Sequence, residues 1–594
     1  MLRLFREMDM RRRNFLFSIA LSACAGLFRV FELRTMTIFL SGISRGNFDS
    51  IFPHKLERLF PSIVQLAHSS YAAGFLAASI LFCLFAITAS SLSYASEVYT
   101  RHQMQLINSR LRQSLFSRFL QFNKAFFDER GYPALQSILL SRSKRVASLL
   151  ESFQKFFVHI FMLLAYFAIL FSISWELTTI TFLLLLFFGI VSIALERNAS
   201  TWEENQIRSQ WSLDKKLFQI LSCIPLVQAS TQEHAERAAF KRISGEELNI
   251  NYGILKKNQQ VRELQNIGSL LVLLVVSMAI ALLGVNDNTN FAAHAIAFLI
   301  IVRMMTPSVR AVIDFAVATV QSQLSLRIVF DILGERNNRF AAIDGKKELT
   351  KFEKEIEIKN ISFSYKKGFP ILSNLSLRIP RGAMTAIVGS SGSGKTTLAH
   401  LLLRLYDIGK GEILIDGINI KEYTFESLRR IIGIVEQDTY LFNESLRHNI
   451  TYGVGDIDDK TIHETMKNVQ LSSLISRMPE GLETMIGERG GNMSCGEKLR
   501  TCIARGLMRL PDVLVLDEPS SALDANTEYL MQQYINRLTG DKTLIIISHR
   551  LSTIKHASHI VVLEEGTVSE EGTYNELIAQ NGIFRNLYEK QRLD

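Results

Sequence analysis

Disulfide chemistry is the first thing missing. Only five cysteines occur in 594 residues, at Cys24, Cys83, Cys223, Cys495 and Cys502. They form no CxxC pair and no spacing that suits a metal site, which argues against a disulfide framework and against a zinc module. A basic tail, a zinc-type motif and an aromatic-basic stretch are also lacking, so the net charge of +9 is no sign of nucleic-acid binding. Basic residues flanking apolar runs explain it better. Beyond about Gly334 the long apolar runs stop, while before it they dominate. A chain of this length also exceeds what one hydrophobic core supports. The two regions are therefore read separately.

In hydrocarbon every backbone polar group must be satisfied internally, so a run of roughly 20 apolar residues implies a spanning helix. Six such runs lie near 15–41, 68–95, 155–174, 177–195, 266–284 and 292–322. The clearest is "LTTITFLLLLFFGIVSIAL". The basic N-terminal start followed by an apolar run has the form of a cleaved signal peptide, but the spans that follow favour a first membrane helix. Links after the first, third and fifth runs are short or modest. Those after the second and fourth are long and charged, with Arg101, Arg110, Arg112, Arg118, Lys124 and Arg130 in one and Lys215, Lys216, Arg237, Lys241 and Arg242 in the other. Positive residues mark the cytoplasmic side, which predicts that both termini and both long links face the cytoplasm. The links lack Pro/Gly clusters and predict helices that continue past the bilayer. They are expected to turn through short docking helices within "NKAFFDERGYPALQS" and "RSQWSLDKKLFQ".

Charges inside the spans carry two readings. Arg29, Glu32 and Arg34 fall in the first run, and Arg303, Arg310 and Asp314 in the last. A spacing of seven sets Arg303 and Arg310 on one helical face, with Asp314 a turn beyond. Intramembrane charge is costly and usually faces an interior or a watery cavity. Arg303, Arg29 and Arg310 are therefore candidates for a cavity that takes an anionic or amphiphilic substrate; the other reading is that such charges pair with one another or reach an interface. Arg303, with no obvious partner in its own helix, is the leading cavity candidate.

From Ile356 the pattern turns to short strands and turns. Gly389, Gly392, Gly394, Lys395 and Thr396 fill every fixed position of GxxxxGK[ST], directly after the strand "MTAIVG" and before a helical pattern, the context a P-loop requires. Glycines let backbone N–H groups wrap phosphates, and the helix N-terminus adds a favourable dipole. Lys395 would supply a point charge to the β- and γ-phosphates and Thr396 a hydroxyl to Mg²⁺. A second buried strand, "DVLVLDEP", ends in Asp517 and Glu518. The first suits Mg²⁺ binding and the second polarisation of the attacking water.

These residues, with the ordered stretches "VEQDTYLFNESLRHNI", "GERGGNMSCGEKLR" and "IIISHRLSTI", resemble the ATP-binding cassette (ABC) exporter family across almost the whole chain. The resemblance implies a half-transporter like those of lipid flippases and multidrug exporters. Its all-α membrane domain, with six transmembrane helices and long cytoplasmic extensions, would occupy residues 1–334; a linker 335–355 would lead to an α/β P-loop ATPase domain over 356–594. It further implies ATP and Mg²⁺ as cofactors, with Ser390, Ser391, Ser393 and Thr397 joining the fixed P-loop positions at ATP. Tyr365 is then the aromatic on adenine, Gln437 the glutamine at Mg²⁺ and the γ-phosphate, His549 the γ-phosphate histidine and Asp524 the aspartate of the loop joining two nucleotide sites. "GERG" resembles a segment typical of exporters. Each ATP would lie between one subunit's P-loop and the signature of a second half-transporter. The implied transport is of a lipid-like or amphiphilic substrate across a bacterial inner membrane, by a homodimer or a heterodimer. Peptide or drug export and ATP-gated channel activity stand as alternatives, and no nucleic acid is implied.

The stretch "GGNMSCGEKLR" departs from the usual signature core, LSGGQ. Ser494 and Gly496 match, and the resemblance places both at ATP. Cys495 adds a Cβ where glycine permits close approach. Glu497 brings negative charge toward a phosphate unless a cation such as Lys498 offsets it. The expectation is a weakened site on the partner's P-loop.

Overall fold

The computed structural model describes residues 12–45, 71–195, 199–283, 291–334, 340–366, 368–455, 457–519, 523–548 and 550–593. Two compact units divide the chain. Met1–Leu120 and Arg130–Asn338 form the first, and Gln121–Glu129 with Arg339–Asp594 the second.

The first unit is helical: α1 (Arg12–Arg45), α2 (Tyr71–Leu120), then, beyond α3 (Lys124–Arg130) of the second unit, α4 (Tyr132–Ser137), α5 (Ser143–Ile173), α6 (Trp175–Leu195), α7 (Ala199–Ser222), α8 (Ile224–Ala229), α9 (Glu233–Leu283), α10 (Phe291–Gln321) and α11 (Gln323–Leu333). Among the described residues six helices are long and apolar enough to cross a membrane. With 50 and 51 residues, α2 and α9 far outrun the bilayer, since at 1.5 Å per residue each extends roughly 75 Å against a hydrocarbon core of about 30 Å. Leu33, Tyr166, Leu170, Val272, Phe298 and Met305 meet in a buried cluster. A polar seam joins α1 to α2, where Ser22 and Ser96 share a hydrogen bond of 2.6 Å and Ser18 and Thr100 one of 2.9 Å. Short hydroxyl side chains allow that close approach and hydrogen-bond across it.

The first turn between long helices falls within the expected stretch, as α3 and α4 separated by Gly131 at φ 74°. The second does not. Residues 208–219 continue inside α7, and the chain breaks at Cys223 instead, followed by α8 with Pro225 in its first turn. The physical reason is local: "RSQWSLDKKLFQ" contains no residue that stops a helix, whereas Pro225 has no N–H to give to the preceding turn.

Two sheets build the second unit. One has the order β2-β1-β4-β5, from β1 (Glu355–Phe363), β2 (Leu372–Pro380), β4 (Lys410–Ile415) and β5 (Ile418–Asn419), and is antiparallel. The other has the order β10-β9-β3-β8-β7-β6. It contains β3 (Met384–Gly389), β6 (Ile432–Val435), β7 (Val513–Asp517), β8 (Thr543–Ile547), β9 (His559–Glu564) and β10 (Thr567–Gly572). All its pairings are parallel except β9 with β10. Alternation sends Ala386, Leu514, Leu516 and Ile546 to one buried cluster and Ile387, Val513, Val515 and Ile545 to another. A parallel sheet covered on both faces needs such continuous apolar strands, and the C-terminal ends of its strands are where ligands bind.

The segment Gln121–Glu129 is an outlying piece of this unit. Its backbone joins by Asn123 N–H to Phe340 O (2.8 Å) and Lys124 N–H to Leu405 O (2.9 Å). Phe126 is fully buried against the rings of Phe122, Phe127 and Phe340.

Candidate functional site

At the end of β3 the chain passes through Gly389–Ser393 into α12 (Lys395–Leu402), whose N-cap, Gly394, has a left-handed φ of 101° and caps with no side chain. A Cβ on Gly394 would come within 2.5 Å of Leu372, and one on Gly389 within 2.2 Å of the Leu563 carbonyl. Glycine is thus required for loop closure as well as for phosphate access. Ser393 is buried, and its Oγ has no hydrogen-bond partner among the described residues. The Lys395 ammonium donates to the loop carbonyls of Gly389 (3.0 Å) and Ser390 (2.8 Å). Burial lowers its pKa, against the raising effect of Glu518 and Asp517.

Thr396, next in α12, donates its hydroxyl to Asp517 Oδ2 at 2.7 Å, which ties the loop to the end of β7. Asp517 is buried, and that burial raises its carboxyl pKa despite the hydroxyl it accepts. Glu518 follows with φ 50°, a conformation costly for a side-chain-bearing residue. Its N–H is held by the Ile547 carbonyl at 2.8 Å and its Oε2 accepts from Gln437 Nε2 at 3.1 Å. Lys395, Thr396, Gln437, Asp517 and Glu518 therefore converge from three segments. A hydroxyl, a carboxylate and an amide oxygen form the hard donor set that Mg²⁺ takes alongside phosphate oxygens.

Tyr365 keeps an exposed ring while its hydroxyl lies 3.0 Å from Thr397 Oγ1. Ser391 and Gly392 lie at the exposed crest of the loop. Asp524 caps α14 (Ala525–Leu538), accepting from the Thr527 N–H (2.9 Å) and hydroxyl (2.7 Å), and those bonds depress its pKa. His549 lies outside the described residues. In the membrane unit Arg29 pairs with Glu32 at 2.7 Å, and Arg310 donates to Gln265 (3.2 Å) and Asn266 (2.7 Å). Arg303 is exposed.

The signature starts a helix of its own. Ser494 is the N-cap of α13 (Cys495–Met508), which places Gly496 in the first turn. Glu497 completes a capping box: its Oε2 accepts from the Ser494 N–H (2.8 Å) and Oγ (2.9 Å), while Arg477 grips its Oε1. Burial would raise the Glu497 pKa, but the bonds from Ser494 and Arg477 outweigh it and leave the carboxyl below its usual range. The cation that pairs with it is Arg477 rather than Lys498, because the carboxylate folds back over the helix start, toward the helix Ser472–Arg477. The S-x-x-E spacing of "SCGE" is a capping-box signal that the motif comparison alone had hidden.

Motif reading also passed over Tyr406 and His400. Tyr406 donates to Asp128 and lies 3.0 Å from the Lys124 Nζ. Its ring meets that of Tyr365 at 5.1 Å, so α3 reaches Tyr365 through one side chain. Burial and the bond to Asp128 raise the Tyr406 pKa. His400 Nε2 lies 3.0 Å from Glu436 Oε1, fastening α12 to the segment bearing Gln437. Neither residue sits in a motif; only the fold brings their partners near.

Residues 16–307 match the family described as ABC transporter transmembrane region, and residues 372–521 the family described as ABC transporter. The chain is 31% identical over 516 residues to the heterocyst differentiation ATP-binding protein HepA of Nostoc sp., covering 86% of this chain and 84% of that protein. It is 31% identical over 493 residues to the ATP-dependent lipid A-core flippase of Haemophilus influenzae, covering 81% and 82%. A solved structure titled as a bacterial Atm1-family ABC exporter with ATP bound has the same fold, with a TM-score of 0.82 over 98% of this chain and 99% of that one at 22% identity. The chain belongs to the ABC transporters, as an exporter half-transporter with one membrane domain fused to one ATP-binding domain. It is a multi-pass integral membrane ATPase whose hydrolysis is coupled to transport.

Proposed function

We propose that the chain exports or flips a lipid-like or amphiphilic substrate by alternating access, as one half of a dimer with a second half-transporter. The observation that carries the ATP-driven step is the convergence of Lys395, Thr396, Asp517, Glu518 and Gln437 at the ends of β3 and β7. Thr396, Asp517 and Gln437 would hold Mg²⁺, which when bound withdraws charge from the phosphates. Lys395 binds the β- and γ-phosphates, Glu518 polarises the attacking water, and His549 and Asp524 complete the γ-phosphate side and the loop between sites. Closure of two ATP-binding domains is favoured because nucleotide binds the closed pair better than the open one. The lipid A-core flippase among the relatives supports the lipid-like substrate. The basic flanks of the spans support cytoplasmic termini in a bacterial inner membrane.

A heterodimer with one weakened site is favoured by a specific feature, the Glu497 carboxylate lying over the start of α13. Purification after expression alone, with subunit stoichiometry and ATPase activity measured beside Glu518→Gln, tests the assignment. Equal activity in that variant overturns Glu518 as the base, and a monomer without activity overturns the homodimer. Proteoliposomes test the transport: ATP-driven conductance without uphill movement of an amphiphile would sink the exporter reading.

A further inference from the structure

We propose that a cavity among α1, α2 and α5 binds the headgroup of an amphiphile that is net neutral and donates hydrogen bonds. This rests on the exporter reading for an amphiphilic substrate and names the headgroup chemistry. The cavity has a volume of about 370 Å³, within the roughly 300–1,000 Å³ typical of small-molecule sites.

Its rim carries two cations, each already neutralised. Arg101 pairs with Glu97 at 2.7 Å and Lys155 with Glu151 at 2.8 Å, one helical turn apart in both cases. Such a rim presents no uncompensated charge, so it does not favour a net anion or a net cation, but it solvates a polar or zwitterionic group.

The demand for a donor comes from Gln154. It lines the cavity at 1% exposure, and its buried Oε1 has no hydrogen-bond partner among the described residues. A buried acceptor left unmatched is unfavourable, and a ligand N–H or O–H would satisfy it. Ser22 and Ser96 line the same space already engaged, with a hydrogen bond between their hydroxyls and a bond from the Ser22 hydroxyl to the Ser18 carbonyl at 2.8 Å. His159 also lines the cavity and is engaged at Nδ1 by Ser308 at 3.1 Å. Val158 and Met162 add an apolar wall for the start of an acyl chain.

Position along the helices fits a headgroup. Glu97 and Arg101 follow the apolar stretch of α2, and Glu151 and Lys155 precede that of α5. The cavity therefore lies where hydrocarbon gives way to charge, the depth at which lipid headgroups sit.

Native mass spectrometry of the purified full chain in a polyether detergent tests this with lipids of identical acyl chains. Phosphatidylethanolamine and a monoglucosyl diacylglycerol carry donors on net-neutral headgroups, from an ammonium and from hydroxyls respectively. Phosphatidylcholine is net neutral without such donors, and phosphatidylglycerol has hydroxyls but is anionic. At least one of the first pair is expected to bind about tenfold more tightly than either of the second pair, the value of one good hydrogen bond. Gln154→Leu is expected to erase that preference, and Ser93→Leu, made at an exposed position on the cavity wall, to reduce it even if the first variant fails to fold. Equal binding of all four lipids, or a preference unchanged in both variants, overturns the site. ATP-driven movement of acyl-labelled fluorescent lipid in proteoliposomes is read separately: transport without headgroup preference overturns this site alone, and headgroup preference without transport overturns the exporter reading alone.

Discussion

Two helices of the ATP-binding unit begin at a phosphate-related motif, and they begin differently. At α12 the cap is Gly394, which offers no side chain to the first-turn N–H groups. At α13 the cap is Ser494, and Glu497 folds back to take its N–H and hydroxyl. The positive end of a helix favours an anion in either case. One end is left for a ligand, whereas the other already holds a carboxylate from its own chain. Glu497 thus gives the signature helix a charged cap from its own chain, whereas the P-loop helix has none.

Breaking the open end should have the largest effect. Glu518→Gln is expected to lower the ATPase rate by about 100-fold or more, the usual worth of a general base, with ATP binding retained in a fluorescent-nucleotide titration. Opening the filled end is the sharper test: Glu497→Gln with Cys495→Gly should raise the apparent ATP affinity of the site completed by this signature by about three- to tenfold at low salt, less at high salt, as a removed like charge requires. An unchanged KM for ATP would mean that Arg477 already cancels the carboxylate. Ser494→Ala removes the cap and should cost about 1 kcal/mol of stability, visible as a lower Tm of the ATP-binding unit, whereas Gly394 has no side-chain cap to lose.

The smallest effect is in pH. The folded-state pKa of Glu497 is depressed, so its contribution to stability is present above the ordinary carboxylate value of about 4.3. That contribution is lost as pH falls through the lower folded value. The Tm difference between the native chain and Glu497→Gln should accordingly shrink on acidification and vanish below both values; a difference that grows in acid would show the carboxyl is not held as an anion.

Legibility followed the range of the interaction. The six spans and the P-loop depend on local patterns, namely apolar length and a fixed spacing beside a strand, and both were readable. Ser494 with Glu497 was also within local reach, because S-x-x-E is a short-range pattern, although the LSGGQ pattern says only what Glu497 replaces and not what it binds. Arg477, 20 residues upstream, could not be read, nor could the Tyr406–Asp128 contact across 278 residues, since both depend on how elements pack. The second turn was misplaced for a different reason. A docking helix was expected within "RSQWSLDKKLFQ", yet it is Pro225, a few residues further on, that has the chemistry to end the helix. The cavity beside Gln154 was invisible because its definition is empty space among three helices, and formal charge drew attention to Arg303, Arg29 and Arg310.

The nine residues of Gln121–Glu129 have a practical corollary. A fragment cut from the chain at the linker, starting near Phe340, would leave behind part of its own fold, because Phe126 would no longer fill the space beside Phe340 and the Asn123 and Lys124 N–H groups would no longer meet the carbonyls of Phe340 and Leu405. Such a fragment would expose the buried rings of Phe340 and Tyr406 to solvent and tend to self-associate. A synthetic peptide spanning residues 121–129 should restore its solubility in trans, turning this outlying piece of the ATP-binding unit into a detachable plug.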